Sequence, residues 1–136
     1  MIPKRIDRPI RFRLATACFE AGQSARAREL LEGLPESGSP SENDRAALLL
    51  ARILEDGEEG RALAIYADIG RRLPGAEAQC RQAALLLRLD RRTEAAGVLA
   101  EVEKRAKRMG RDERTRHADM YNWAARTLAE LRAEGR

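Results

Sequence analysis

The sequence has 136 residues and a mass of 15.2 kDa, a size that suits one domain with one hydrophobic core. Charged residues make up 35% of the chain and hydrophobic residues 43%, which excludes both a membrane protein and a disordered tail. The net charge is +4, but its sign alternates, because residues 1–28 and 61–116 are basic whereas residues 29–60 are acidic. Nucleic-acid-binding proteins usually concentrate one sign, so this alternation argues against that class.

The chain is predicted to be entirely α-helical. Ala, Leu, Arg and Glu dominate, all good helix formers, and no segment alternates apolar and polar residues as a strand does. Turn-forming residues cluster at 33–43, 56–60, 70–75 and near 110. The segments between these clusters predict helices near 9–21, 24–34, 43–55, 59–72, 76–89, 92–108 and 112–133.

Three segments of the chain align with one another at spacings of 35 and 33 residues. A turn position holds Gly22, Gly57 and Asp90. A small-residue position holds Ala27, Ala62 and Ala95, and a large-residue position holds Leu31, Tyr66 and Leu99. A turn between two helices favours residues that tolerate positive φ, and two helices that cross closely need a small side chain. We therefore expect three helical hairpins, each of which buries its apolar face against a neighbour.

At these positions the chain resembles the tetratricopeptide repeat (TPR) family, over about residues 8–109. The resemblance implies an all-α fold, an α-solenoid of three TPR-like hairpins over about 8–41, 43–76 and 76–109 within a single domain. A C-terminal capping helix is expected over about 112–133. The arrangement also resembles the C-terminal part of bacterial repeat proteins that carry an N-terminal membrane segment. We expect a cytoplasmic protein, with the soluble domain of a membrane-anchored protein as the alternative.

By the same resemblance, a partner would bind in a concave groove formed by the first helix of each hairpin. The groove is expected to be apolar, with two arginines at its edge, and it suits an amphipathic helix or an extended peptide. The residues expected to contact the partner are Phe12, Arg13, Thr16, Phe19, Ala51, Leu54, Arg81, Ala84 and Leu87. The segments 46–54 and 83–87 are apolar on nearly all sides, which predicts that the groove is covered by the chain itself, by a second copy or by a partner helix.

The function predicted from these features is a non-catalytic protein–protein interaction scaffold. No His-based catalytic group, metal site or phosphate-binding loop is visible, since His117 is the only histidine, and we expect no cofactor. Cys18 and Cys80 are expected to be buried, reduced thiols.

Two alternatives to this function stay open. One is a self-associating homodimeric scaffold that uses the same groove. The other is a basic surface over 104–116 that binds anionic lipid or nucleic acid. For the single tryptophan, Trp123, packing at the end of the last hairpin is favoured over an exposed contact role.

Overall fold

A computed structural model describes residues 7–135, and every regular element in that range is an α-helix. The prediction of an all-α chain is therefore confirmed for this range. The helices, in chain order, are α1 (Arg8–Glu20), α2 (Ser24–Glu32), α3 (Pro40–Leu54), α4 (Glu59–Ile69), α5 (Glu77–Arg88), α6 (Arg92–Arg108), α7 (Arg111–Arg116) and α8 (Ala118–Glu134). Within the same range, none of the helices is long and apolar enough to cross a membrane.

The helices form two compact units that divide within α4, one ending at Ala62 and the other beginning at Leu63. In the first unit, α1 and α2 form a hairpin against which α3 packs. Its core contains Ala15, Cys18, Ala27, Leu31, Leu49 and Ile53. In the second unit, α5 and α6 form a hairpin, α8 packs mainly along α6, and α7 packs on α8. Its core contains Ala76, Cys80, Ala83, Leu99, Val102, Tyr121, Ala124 and Leu128.

The turn positions predicted from the repeat have the expected backbone conformation. Gly22, Gly57 and Asp90 all have positive φ, at 83°, 111° and 59°. In the α1/α2 turn, the Gly22 N–H donates to Phe19 O and the Gln23 N–H donates to Cys18 O. In the α5/α6 turn, the corresponding N–H groups of residues 90 and 91 donate to Leu87 O and Leu86 O. This pair of bonds satisfies carbonyls that a helix end leaves free, which explains the positive φ.

The small-residue position of the repeat is fully buried. Ala27, Ala62 and Ala95 each have 0% of their surface exposed. Ala27 lies in the core of the first unit beside the side chains of α1. A larger side chain there would separate the helices, so the requirement for alanine follows from the close packing of the hairpin.

The C-terminal helix is not continuous, in contrast to the prediction of one helix over 112–133. It is interrupted at His117, where the backbone leaves the helical region at φ −119° and ψ 27°. The Thr115 hydroxyl donates to Arg111 O at 2.9 Å, a bond back to the preceding turn that often bends helices. An Arg114 N–H also donates to Ala106 O and holds α7 against the end of α6. The cap therefore consists of α8, with α7 as a separate turn.

Candidate partner-binding surface

The part of the predicted surface that lies on α1 is accessible. Phe12, Thr16 and Phe19 are half-buried, and Arg13 is exposed. The Arg52 guanidinium lies over the Phe19 ring, 4.8 Å from its centroid, in a cation–π contact. The Thr16 hydroxyl donates to Phe12 O within the same helix. A partner could therefore pack against the two phenylalanine rings and bind the Arg13 guanidinium. The Thr16 hydroxyl proton is not available to a partner, because it is donated to Phe12 O.

The two residues predicted on α3 are buried. Ala51 is 0% exposed and Leu54 is 1% exposed, so neither offers surface to a partner in this structure. The reason lies in the composition of 46–54, which is apolar on nearly all sides. A helix of that kind is covered within the fold rather than facing solvent on one side. The expectation that this segment is covered is confirmed for Ala51 and Leu54.

The part predicted on α5 is partly accessible. Ala84 and Leu87 are half-buried. The Arg81 Nε donates to Glu77 Oε2 at 2.9 Å, one helical turn away, and this pairing fixes the guanidinium on the helix surface. The structure thus leaves two separate sets of predicted residues exposed, one on α1 and one on α5.

Both cysteines are buried and free, as predicted. Burial, with a smaller contribution from the nearby Glu77 carboxylate, raises the pKa of the Cys80 thiol from 9.0 to about 11, because both disfavour the thiolate. Cys80 is thus an unreactive core residue at neutral pH.

Trp123 is half-buried and packs against the core of the second unit, which confirms its predicted packing role. Tyr121, Ala124 and Leu128 form the buried face of α8. The neighbouring Ala125 is exposed.

The basic segment 104–116 is partly engaged within the fold. The Arg105 guanidinium donates to Gly70 O and to Gln79 Oε1, each at 2.9 Å, and also to Leu73 O. Lys104 pairs with Glu101 at 3.4 Å. Arg105 therefore holds the fold together, whereas the Lys104–Glu101 pair lies at the surface and contributes little to stability.

The acidic segment likewise has internal partners. Glu58 accepts a hydrogen bond from Arg28 and also pairs with Arg61, with 3.7 Å between the Arg61 guanidinium and the Glu58 carboxylate. The Glu58 carboxylate is therefore engaged by two arginines of the first unit. Within residues 7–135, no three His, Cys, Asp or Glu side chains come together as metal ligands.

Two features of the second unit could not be found from the repeat pattern. One is the role of Arg105, whose acceptors lie 26 to 35 residues earlier in the sequence. The other is an open cavity between α6, α7 and α8.

Comparisons of this chain with protein-family models, with curated proteins and with solved structures found no match.

Proposed function

We propose that this protein is a non-catalytic helical-repeat scaffold of the TPR type that binds a protein partner. Three observations support the proposal. The turn residues recur with positive φ, the alanines of the small-residue position are fully buried, and two hairpin turns are closed by the same backbone hydrogen bonds. The α1/α2 and α5/α6 hairpins thus share the local construction that a repeat requires.

The observation that carries the proposal is the exposure of equivalent positions on α1 and α5. Thr16 and Phe19 on α1 align with Ala84 and Leu87 on α5, and all four side chains are half-buried. Partly exposed aromatic and aliphatic side chains on a rigid helix contribute binding energy with little loss of conformational entropy. On each helix, the partner best suited to these side chains is an apolar helix or an extended apolar segment, and on α1 an acidic residue of the partner would suit Arg13.

The matched pair Ala84→Arg and Ala100→Arg tests this surface. Both alanines are half-buried on helices of the second unit, but only Ala84 belongs to the proposed surface. We expect Ala84→Arg to abolish recovery of partners from an extract of the native cell, while Ala100→Arg retains them, with equal helical circular dichroism for both. Equal recovery by the two variants would show that the surface does not bind the partner.

Self-association is a second candidate, favoured by an exposed apolar pair on α1. Ile10 is 50% exposed and Leu14 is 37% exposed, and they are one helical turn apart on one side of the helix. Light scattering of the wild type and of Leu14→Arg over a range of concentrations tests this use. A dimer that Leu14→Arg converts to a monomer supports it, and a wild type that stays monomeric excludes it.

A further inference from the structure

The second unit contains an open cavity of about 240 Å³ where α6, α7 and α8 meet. Most of its wall is apolar, and it is lined by Leu99, Val102, Glu103, Ala106, Lys107, Arg114, Tyr121, Ala124 and Ala125. An apolar cavity of about 150 Å³ already accommodates benzene. This cavity therefore has room for a chain of about eight carbons.

Cationic side chains line part of this cavity. Lys107 and Arg114 both contribute to its lining and are exposed. Arg114 uses one N–H group for the Ala106 carbonyl, which leaves its other donors for a ligand. The acidic lining residue, Glu103, pairs with Arg132 at 3.3 Å, so its charge is largely offset. The charge balance at the cavity is therefore positive.

A buried polar atom without a partner lies in the same region. The Tyr121 hydroxyl is buried and has no hydrogen-bond partner in the described part of the chain, and only 7% of the residue is exposed. Burial raises the pKa of the Tyr121 hydroxyl and is the largest effect. The Glu113 charge also raises this pKa, and the Arg105 and Arg114 charges lower it. The hydroxyl is thus protonated at neutral pH and is a donor without an acceptor. Native structures rarely leave such a group unsatisfied, and an internal water would satisfy it.

From the apolar wall and the cationic lining we propose that the cavity binds a small amphipathic monocarboxylate. The apolar chain lies between α6 and α8, against Val102, Ala106 and Ala124, and the carboxylate contacts Lys107 and Arg114. A carboxylate fits better than a larger anion because the polar part of the lining is small. This site lies entirely in the second unit and does not depend on the proposed partner surface.

Calorimetric titration of the full chain with sodium octanoate tests the site. We expect saturable binding of one octanoate per chain. The exposed alanines Ala125 and Ala129 lie one turn apart on α8, and only Ala125 lines the cavity. Ala125→Phe should weaken binding at least about tenfold by filling the mouth of the cavity, whereas Ala129→Phe should bind as the wild type does. Ala106→Leu, which fills the cavity from α6, gives a second blocking variant.

The matched variants Lys107→Gln and Lys104→Gln test the carboxylate contact, with octanol as the neutral probe. Lys107→Gln should weaken octanoate binding up to about fivefold, the range of an exposed ion pair, and leave octanol binding unchanged. Lys104→Gln should alter neither. Absence of saturable octanoate binding, or equal binding by both phenylalanine variants, would overturn the site. Octanol binding as tight as octanoate, unaffected by Lys107→Gln, would overturn the carboxylate assignment.

Discussion

The hairpins α1/α2 and α5/α6 close their turns with the same two backbone hydrogen bonds but with different residues at the left-handed position. The first uses Gly22 and the second uses Asp90. The left-handed conformation costs more free energy at Asp90 than at Gly22, because Asp90 has a Cβ. The Asp90 carboxylate accepts a hydrogen bond from Arg92 Nε at 3.1 Å. The hydrogen bonds of the turn thus set its geometry, and the residue there changes only the free energy of reaching it.

The two hairpins differ more strongly in the depth of their cores. At the large-residue position, Leu99 is fully buried whereas Leu31 is 8% exposed. Leu99 belongs to the core cluster of the second unit, to which α8 contributes Tyr121, Ala124 and Leu128. The α1/α2 hairpin has only α3 packed against it within its unit. Of these two hairpins, the one against which α8 packs buries its large-position leucine more completely.

The largest expected effect comes from truncation of these two leucines. Leu99→Ala should lower the free energy of unfolding by about 3 kcal/mol, and Leu31→Ala by about 2 kcal/mol, because the deeper site leaves the larger cavity. Urea unfolding followed by circular dichroism measures both. Trp123 fluorescence reports on the second unit and should shift for Leu99→Ala. Equal losses for the two variants would contradict the difference in burial.

A smaller effect concerns Cys80, which is buried in the α5/α6 hairpin. The equivalent repeat position in the α1/α2 hairpin holds Phe12, which is half-buried. The pKa of Cys80 is raised in the folded protein to about 11, so the native state retains a proton that the unfolded chain loses earlier. This stabilisation is complete below the unfolded pKa and is lost as the pH rises towards the folded value.

Between about pH 8 and pH 10.5, the wild type should therefore lose about 2 kcal/mol more stability than Cys80→Ala. Urea unfolding of both proteins at a series of pH values measures the difference. Parallel pH dependence in the two proteins would show that the thiol is not the group responsible.

The smallest effect tests the turns themselves. Gly22→Ala should cost about 1 kcal/mol, since φ is 83° and the added Cβ meets no atom within 4 Å, so the cost is conformational. Asp90→Gly should change stability by about 0.5 kcal/mol or less, because relief of backbone strain offsets the lost Arg92 contact. Gly38→Ala serves as the control, since Gly38 lacks a positive φ and also has open space. The same loss in Gly38→Ala as in Gly22→Ala would remove the turn explanation.

The sequence by itself determined the local structure. The helix-forming composition placed the helices, with errors mainly at their ends, and the recurrence at 35 and 33 residues identified Gly22, Gly57 and Asp90 as left-handed turn residues. It also identified Ala27, Ala62 and Ala95 as buried. These properties depend on backbone sterics and on the nearest turn of helix, and both are encoded within a few residues.

Only the tertiary structure decided which apolar residues remain accessible and where the charges are used. Leu54 and Leu87 occupy the same repeat position, but one is buried and the other is half-buried, because burial depends on every element packed nearby rather than on the residue. Arg105 belongs to a basic segment in the sequence, yet its guanidinium bonds acceptors brought to it by the fold. The helical pattern of 112–133 also did not predict the break at His117 or the cavity between α6, α7 and α8.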